Sequence, residues 1–385
     1  MLPPEIARRP HIKNALPKRG VAGSRYQIAT PAAVVDLDTL EKNMATASAL
    51  LKGRTIALRP HSKSHKCSFL ARLQVEAGVA GICCAKLGEA EAMAGNGIHS
   101  ILVTSPIFGH EAAARALQLA SAVRDFAVVV DSTGLVDQLG SEAGARSFVL
   151  PVLIDIDVGQ HRTGVVTPEQ AIELARAIAK QPFLKLRGVQ GYGGSWQHIH
   201  GAEKRQAAVA EGMGKLASIV DALRKEGFAI STVTGGGTGT LKTDLSQEVL
   251  NECQPGSYIF MDREYQEALI DDGSRFETSL FVQSQVISTN QAEYVTLDAG
   301  LKAFATDGPT PRPASRGFES CEYKFFGDEF GMLTKPQGLK IALGDRIEFE
   351  VPHCDPTVDR YDVLHLVRGN TLVEIVPIEG RGRSQ

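Results

Sequence analysis

Four short segments of this chain bring together side chains that can do chemistry. In Arg59-Pro60-His61-Ser62-Lys63-Ser64-His65-Lys66 a lysine stands among other cationic groups. Such neighbours lower an amine's pKa, as an amine that condenses with an aldehyde requires; a solvated basic loop is the structural alternative. In Thr234-Gly235-Gly236-Gly237-Thr238-Gly239-Thr240, glycines let backbone approach a phosphate while N–H groups and a threonine hydroxyl donate to it. Glycines also make tight turns, so the run alone does not decide. Asp155 to Gly164 (DIDVGQHRTG) carries Arg162, which can hold an anionic oxygen of a ligand or pair with Asp155 or Asp157. In Val351-Pro352-His353-Cys354-Asp355-Pro356, His353 and Asp355 are two apart, and in an extended segment both point the same way. One imidazole and one carboxylate suit Mn²⁺, Mg²⁺ or Zn²⁺ with water completing the shell. A purely structural pair is the alternative, and a bend would make His353 and Cys354 a rival zinc pair.

These segments follow a regular rhythm. Eight strand-like runs, at 55–58, 80–85, 100–105, 126–131, 148–157, 186–192, 230–237 and 256–262, alternate with amphipathic stretches. Residues 168–181 and 208–227 read as helices; the second has apolar residues at three- and four-residue spacing and Gly227 as its stop. Eight βα units predict a TIM (β/α)8 barrel, with a doubly wound open sheet as the competitor. The barrel is favoured because Lys63, Arg162, Tyr192 and the glycines all fall at C-terminal strand ends, where barrel sites are built. Beyond about residue 270, runs at 279–289, 293–300 and 346–352, and a pair flanking Arg368-Gly369-Asn370, read as antiparallel strands. The reading is thus an arm over 1–29, a barrel over 30–270 and a C-terminal antiparallel β domain over 271–385.

At 385 residues the chain exceeds the usual size of one core, and its net charge of −3 offers no footprint for nucleic acid or an anionic membrane. No apolar stretch is long enough to span a bilayer. Six cysteines without a CxxC pair fit a reducing compartment, hence the cytoplasm. The basic N-terminal residues Arg8, Arg9, Lys13, Lys18, Arg19 and Arg25 lack the apolar core of a secretory signal and read as an arm.

In order along the chain, TPAAVVDLDTLEKNM, RPHSKSHK, GICCAKLGEAEAM, IDIDVGQHRTGV, GVQGYGGSWQH, TGGGTGT, QPGSYIFMD, LDAGLKA and VPHCDPT closely resemble one family. It is that of the fold-type III pyridoxal 5′-phosphate (PLP) enzymes that include D-threonine aldolase, 3-hydroxy-D-aspartate aldolase and the D-serine dehydratase-like proteins. The resemblance runs from Thr30 to Arg381 and implies an alanine-racemase-like barrel, a C-terminal β domain and a homodimer. It implies Lys63 as the aldehyde-binding lysine. Arg162, Gln190, Tyr192, Gly237, Thr238, Gly256, Ser257 and Tyr258 become cofactor contacts, His198 the base, and His353 and Asp355 the metal pair. The substrate it implies is a β-hydroxy D-amino acid, cleaved to glycine and an aldehyde.

Asp355 favours the aldolases, because the family's dehydratases present His-x-Cys there. A dehydratase with the same cofactor and metal is the second expectation. Two departures touch the substrate pocket. Asp328-Glu329-Phe330-Gly331 stands for the family's Glu-His-Gly, and Arg360-Tyr361-Asp362 replaces a His-Asp, so each puts an aromatic ring where an imidazole is usual. A non-catalytic PLP carrier normally lacks a C-terminal β domain, so residues 271–385 count against it.

Overall fold

Runs of β-branched residues with nothing polar to expose are satisfied where both strand faces are covered. In the computed structural model, which describes residues 18–273 and 276–385, they are. Arg8, Arg9 and Lys13 lie outside the described residues.

Strand β1 (Ala32–Asp36) leads into α1 (Leu37–Leu51). Strands and helices then alternate: β2 (Ala57–Leu58), α2 (Ser68–Glu76), β3 (Ile82–Cys84), α3 (Leu87–Gly95), β4 (Ser100–Val103), α4 (His110–Ala122), β5 (Asp125–Val130) and α5 (Thr133–Ala145). The series continues with β6 (Leu150–Ile156), α6 (Pro168–Lys180), β7 (Leu184–Gly191), α7 (Ala202–Lys225), β8 (Thr232–Gly235), α8 (Leu241–Gln247) and β9 (Glu252–Cys253). Helix α6 starts where Thr167 and Gln170 form a reciprocal capping box ahead of Pro168, and α7 is stopped by Gly227 at φ +88°.

The eight strands β2–β9 form one parallel sheet in the order β2-β9-β8-β7-β6-β5-β4-β3. Its end strands meet through Ala80 N–H to Leu58 O (2.8 Å), Cys83 N–H to Pro60 O (2.8 Å) and a parallel bridge between His61 and Cys83. The sheet therefore closes into the expected barrel, with Cys83, Leu102, Ala127, Val129 and Leu153 packed together in its core. One strand differs from expectation. The run 256–262 is no strand; the eighth is Glu252–Cys253, and Ser257–Ile259 is a buried 3-10 turn. Glu252 hid the strand, because a carboxylate inside a barrel is tolerated only when paired, here with Arg59 at 2.9 Å.

The remaining strands are β10 (Leu280–Ser288), β11 (Tyr294–Leu297), β12 (Arg312–Pro313), β13 (Tyr323–Phe325), β14 (Gly331–Thr334), β15 (Arg346–Glu350), β16 (Val363–Arg368) and β17 (Thr371–Pro377). They form a sheet ordered β13-β14-β11-β10-β1-β16-β17, with β15 also on β10 and β12 on β15. Strand β1 sits inside it, antiparallel to β10 (Val34 opposite Phe281) and parallel to β16 (Val34 opposite His365). The sheet is thus antiparallel except for that one pairing among the described strands. Arg25, taken from sequence as part of an arm, is tied down: it pairs with Glu348 (2.7 Å) and Asp36 (3.1 Å).

By their internal contacts the described residues fall into two compact units. Residues 18–46, 257–267 and 276–381 make the sheet unit, and 47–256, 268–273 and 382–385 the barrel unit.

Candidate active site

In the barrel unit, the chain leaves β2 through Pro60 into a 3-10 turn, Ser62–Ser64, that carries Lys63 half-buried. The Lys63 N–H donates to His61 Nδ1 (3.2 Å), while His61 Nε2 is 3.0 Å from Thr104 Oγ1. Around the lysine lies a cavity with about 420 Å³ of empty volume, part of it open to solvent. It is lined by His61, Lys63, Ala85, Thr104, Ser105, Arg162, Gln190, Tyr192 and Gln254. Four expected site residues, Lys63, Arg162, Gln190 and Tyr192, therefore meet in one cavity.

The floor is a network of neutral donors around one carboxyl group. Gln190 Nε2 donates to Asp155 Oδ1 (2.8 Å) and Thr104 O (2.9 Å), and its Oε1 accepts from Gln254 Nε2 (3.3 Å). Gln254 also donates to Thr234 Oγ1 (3.0 Å), and Thr163 Oγ1 donates to Asp155 Oδ2 (2.7 Å). Burial pushes the Asp155 carboxyl up to about 6, against the Thr163 and Gln190 bonds that favour its charged form. Asp157 organises the loop that presents Arg162. Its Oδ1 accepts from the N–H groups of Gly159 and His161 (2.9 Å each), and its Oδ2 lies 3.0 Å from the His161 ring. Burial raises the Asp157 pKa, but these bonds outweigh it and hold the group below the usual carboxylate range. With both carboxylates engaged in this way, the exposed Arg162 guanidinium lies instead 5.8 Å from the Tyr192 ring centroid.

The glycine run after β8 is explained mostly by packing. A Cβ on Gly235 would meet Gly191 O at 1.9 Å, on Gly237 the Gln197 side chain at 2.4 Å, and on Gly239 Gln197 O at 2.2 Å. Gly239 N–H donates to Gln197 Oε1 (2.9 Å), and Gly237 N–H points to Thr240 Oγ1 (3.2 Å). Thr240 Oγ1 donates to Asp244 Oδ2 (2.6 Å), and burial pushes the Asp244 carboxyl up to about 7. Thr238 is the exception: its Oγ1 is buried and has no protein partner among the described residues. A buried hydroxyl left over in a glycine loop is what an anionic group of a ligand would complete. The Lys63 amine, the donor-lined cavity and this hydroxyl together fit PLP.

Gly256 packs on the lysine turn, its Cβ position 3.0 Å from His61 O. Ser257 and Tyr258 belong to the sheet unit, where Tyr258 is buried edge-on to Phe276 at 5.8 Å. His198 is half-buried in the segment after the 3-10 turn Gly194–Trp196 and is not among the residues lining the Lys63 cavity.

In the sheet unit, His353 Nδ1 lies 2.9 Å from Asp307 Oδ2 and 3.9 Å from Glu264 Oε2. The expected extended geometry at His353-Cys354-Asp355 is corrected: only His353 is extended, and Cys354–Val358 is one helical turn with Asp355 in it. Pro356 permits this, since first-turn residues need no N–H for the helix ladder. Cys354 is buried, its N–H donating to Asp262 Oδ2 (2.8 Å) and its thiol to Asp355 Oδ1 (3.2 Å). Burial lowers the His353 pKa, but Asp355, Asp262 and Asp307 outweigh it and raise the imidazole above its ordinary value. One imidazole among carboxyl groups is a donor set suited to a hard cation. No group of three or more His, Cys, Asp or Glu able to hold a metal ion occurs among the described residues. The two departures resolve differently. Phe330 is exposed, whereas Tyr361 donates its hydroxyl to Ala303 O (2.8 Å).

Sequence reasoning missed His61, Ala85, Thr104, Ser105 and Gln254. Thr104 and Ser105 end the third strand-like run, the same strand-end signal that singled out Lys63. Gln254 was hidden by the misplaced eighth strand.

Residues 35–264 match the family described as alanine racemase, N-terminal domain, and residues 279–367 match a putative serine dehydratase domain. The chain is 35% identical over 361 residues to a D-threonine aldolase of Arthrobacter sp, covering 93% of this chain and 94% of that one. It is 33% identical over 363 residues to a 3-hydroxy-D-aspartate aldolase of Paracoccus denitrificans (strain Pd 1222), covering 93% of each. The crystal structure of D-threonine aldolase from Filomicrobium marinum superimposes with a TM-score of 0.89 at 34% identity, covering 94% of this chain and 97% of that one. A barrel with a lysine at its first strand end, and aldolases matched along nearly the whole chain, have one reading. The chain belongs to the alanine-racemase-like, fold-type III PLP family of the D-threonine and 3-hydroxy-D-aspartate aldolases.

Proposed function

We propose that this protein is a PLP- and divalent-metal-dependent lyase that cleaves a β-hydroxy D-amino acid, such as D-threonine or 3-hydroxy-D-aspartate, to glycine and an aldehyde. The observation that carries the reading is the meeting of Lys63, Arg162, Gln190 and Tyr192 in one cavity, on a chain whose matched relatives are named as aldolases.

Bound PLP supplies an electron sink for the bond that breaks at Cα. Lys63 would hold its aldehyde, and the Thr238 hydroxyl, with Gly237 and Gly256, would hold its phosphate. Arg162, 5.8 Å from the Tyr192 ring, and the Gln190 amide, fixed by Asp155 and Gln254, would hold its ring. In the reaction the Cα–Cβ bond breaks, the β-hydroxyl loses its proton and Cα gains one. His198 takes the hydroxyl proton, directly or through a water. His353 and Asp355 would hold the cation (Mn²⁺, Mg²⁺ or Zn²⁺), which supplies acidification of a bound hydroxyl.

Six cysteines without a disulfide suit the cytoplasm, and no helix among the described residues is long and apolar enough to cross a membrane. A homodimer acting on a small-molecule substrate completes the reading. A second reading, a dehydratase yielding an oxo-acid and ammonia, is favoured by the serine dehydratase match at 279–367.

Incubating Mn²⁺- and PLP-loaded protein with D- and L-β-hydroxy amino acids, and assaying glycine, aldehyde, oxo-acid and ammonia together, separates the two. Glycine with aldehyde from D-substrates alone is expected; ammonia with an oxo-acid would replace the aldolase by the dehydratase. Lys63→Ala should abolish both turnover and the visible band of lysine-bound cofactor. A surviving band would remove Lys63 from its role.

A further inference from the structure

The segment GICCAKLGEAEAM contains a buried carboxylate that the proposed chemistry does not use. Glu89, in the first turn of α3, is 1% exposed and does not line the Lys63 cavity. Its position is set by how the barrel closes. Each neighbouring pair from β3 round to β9 and β2 has a parallel ladder, whereas β2 and β3 meet through the bonds of Ala80 and Cys83 and the His61–Cys83 bridge. Pro60 has no N–H to add to that seam. Directly above it the chain turns into Ser62–Ser64, so Lys63 emerges where main-chain pairing runs out.

Glu89 continues the seam with its side chain. Oε2 accepts from Ala85 N–H (2.9 Å), just past the end of β3, and Oε1 accepts from Ser62 Oγ (2.5 Å), the residue before Lys63. Ser62 Oγ is also 2.9 Å from Cys83 O and 3.4 Å from Cys84 Sγ. One carboxylate thus ties two points of the cavity wall, Ala85 and the lysine turn, across the closing seam.

We propose that Glu89 is a positioning residue for the cofactor-binding lysine, holding the Ser62–Ser64 turn against the end of β3 so that the Lys63 amine stays directed into the cavity. The inference rests on the assignment of Lys63 as the PLP lysine. Buried partners that orient a functional group typically change ligand affinity ten- to a hundredfold when lost. A glutamine can replace the clamp: its oxygen accepts from Ala85 N–H while its amide donates to Ser62 Oγ, which then donates to Cys83 O.

The test uses the full chain, stripped of cofactor and titrated with PLP. It reads the dissociation constant, the pH midpoint of the visible lysine-bound band, borohydride labelling of Lys63 and the melting temperature of the apo protein. Glu89→Ala should weaken PLP at least about tenfold and move the band's pH midpoint, Ser62→Ala should do the same to a smaller degree, and Glu89→Gln should stay within about threefold of wild type. Affinity and midpoint unchanged in Glu89→Ala would overturn the clamp, as would a Glu89→Gln defect equal to that of alanine, which would make charge the operative property. Should Glu89→Ala not fold, Ser62→Ala decides alone, since the hydroxyl is half of the clamp. Wild-type protein that leaves Lys63 unlabelled would overturn the lysine assignment itself, an outcome distinct from a labelled Lys63 indifferent to Glu89.

Discussion

The two ends of the barrel are built on opposite electrostatic plans. At the N-terminal ends of the strands, Arg59 and Glu252 pair at 2.9 Å with side chains 3% and 7% exposed, and Arg59 also donates to Ser100 Oγ (2.9 Å). Asp125 accepts from Arg187 (2.8 Å) and from Ser100 (2.8 Å), linking β4, β5 and β7 to the pair between β2 and β9. Burial would raise the Asp125 pKa, yet Arg187, Ser100 and Arg59 outweigh it, so the carboxyl sits below its usual range. At the C-terminal ends the interior polar groups are mostly amides and hydroxyls, and the Asp155 carboxyl is pushed up rather than down. Charges that satisfy one another leave no room for a guest and rigidify the closed end. Neutral donors and a weakly committed acid leave the open end able to accept one.

The sharpest way to break this contrast is at the charged end. Arg59→Met should leave Glu252 buried without its partner and destabilise the apo protein by about 3–5 kcal/mol in urea unfolding, while the folded fraction still labels at Lys63. Stability equal to wild type would mean the network is not structural. At the open end, Thr238→Val should do the reverse. Apo stability should hold, because the hydroxyl has no protein partner to lose, and PLP should bind about tenfold more weakly through one lost charge-assisted bond. Unchanged affinity would take the phosphate away from this loop.

A third break, read as a slope against pH rather than as a step, concerns Asp244. With its folded pKa pushed to about 7 by burial, the native chain keeps a proton that the unfolded chain loses near pH 4. Its contribution to stability is therefore largest in acid, declines as pH rises from about 4 to about 7, and is flat above that. Comparing apo melting of wild type and Asp244→Asn across that range should show wild type losing ground toward neutrality. Parallel curves would mean that Asp244 ionises freely.

What could be read from sequence was whatever depended on neighbours in the chain. The strand runs, helices α6 and α7, and Lys63, Arg162 and Tyr192 at strand ends are local patterns. What escaped depended on partners far away. Glu252 reads as a residue that breaks a strand until Arg59 stands beside it. The glycines of 235–239 suggested a ligand, yet Gln197 and Gly191 account for most of them, leaving Thr238 as the informative position. Asp355 precedes a proline, which favours extended backbone, but helix Cys354–Val358 forms with Pro356 in its first turn.

Strand β1 lies between β10 and β16, with Val34 facing Phe281 on one side and His365 on the other. During translation this apolar strand leaves the ribosome with the whole barrel still to be made before either partner exists. A nascent chain must therefore carry an unpaired, sheet-forming segment throughout synthesis, the kind of exposure that draws chaperones or misassembly. Ala32–Asp36 is accordingly the segment that waits through most of the chain's synthesis for the strands that cover it.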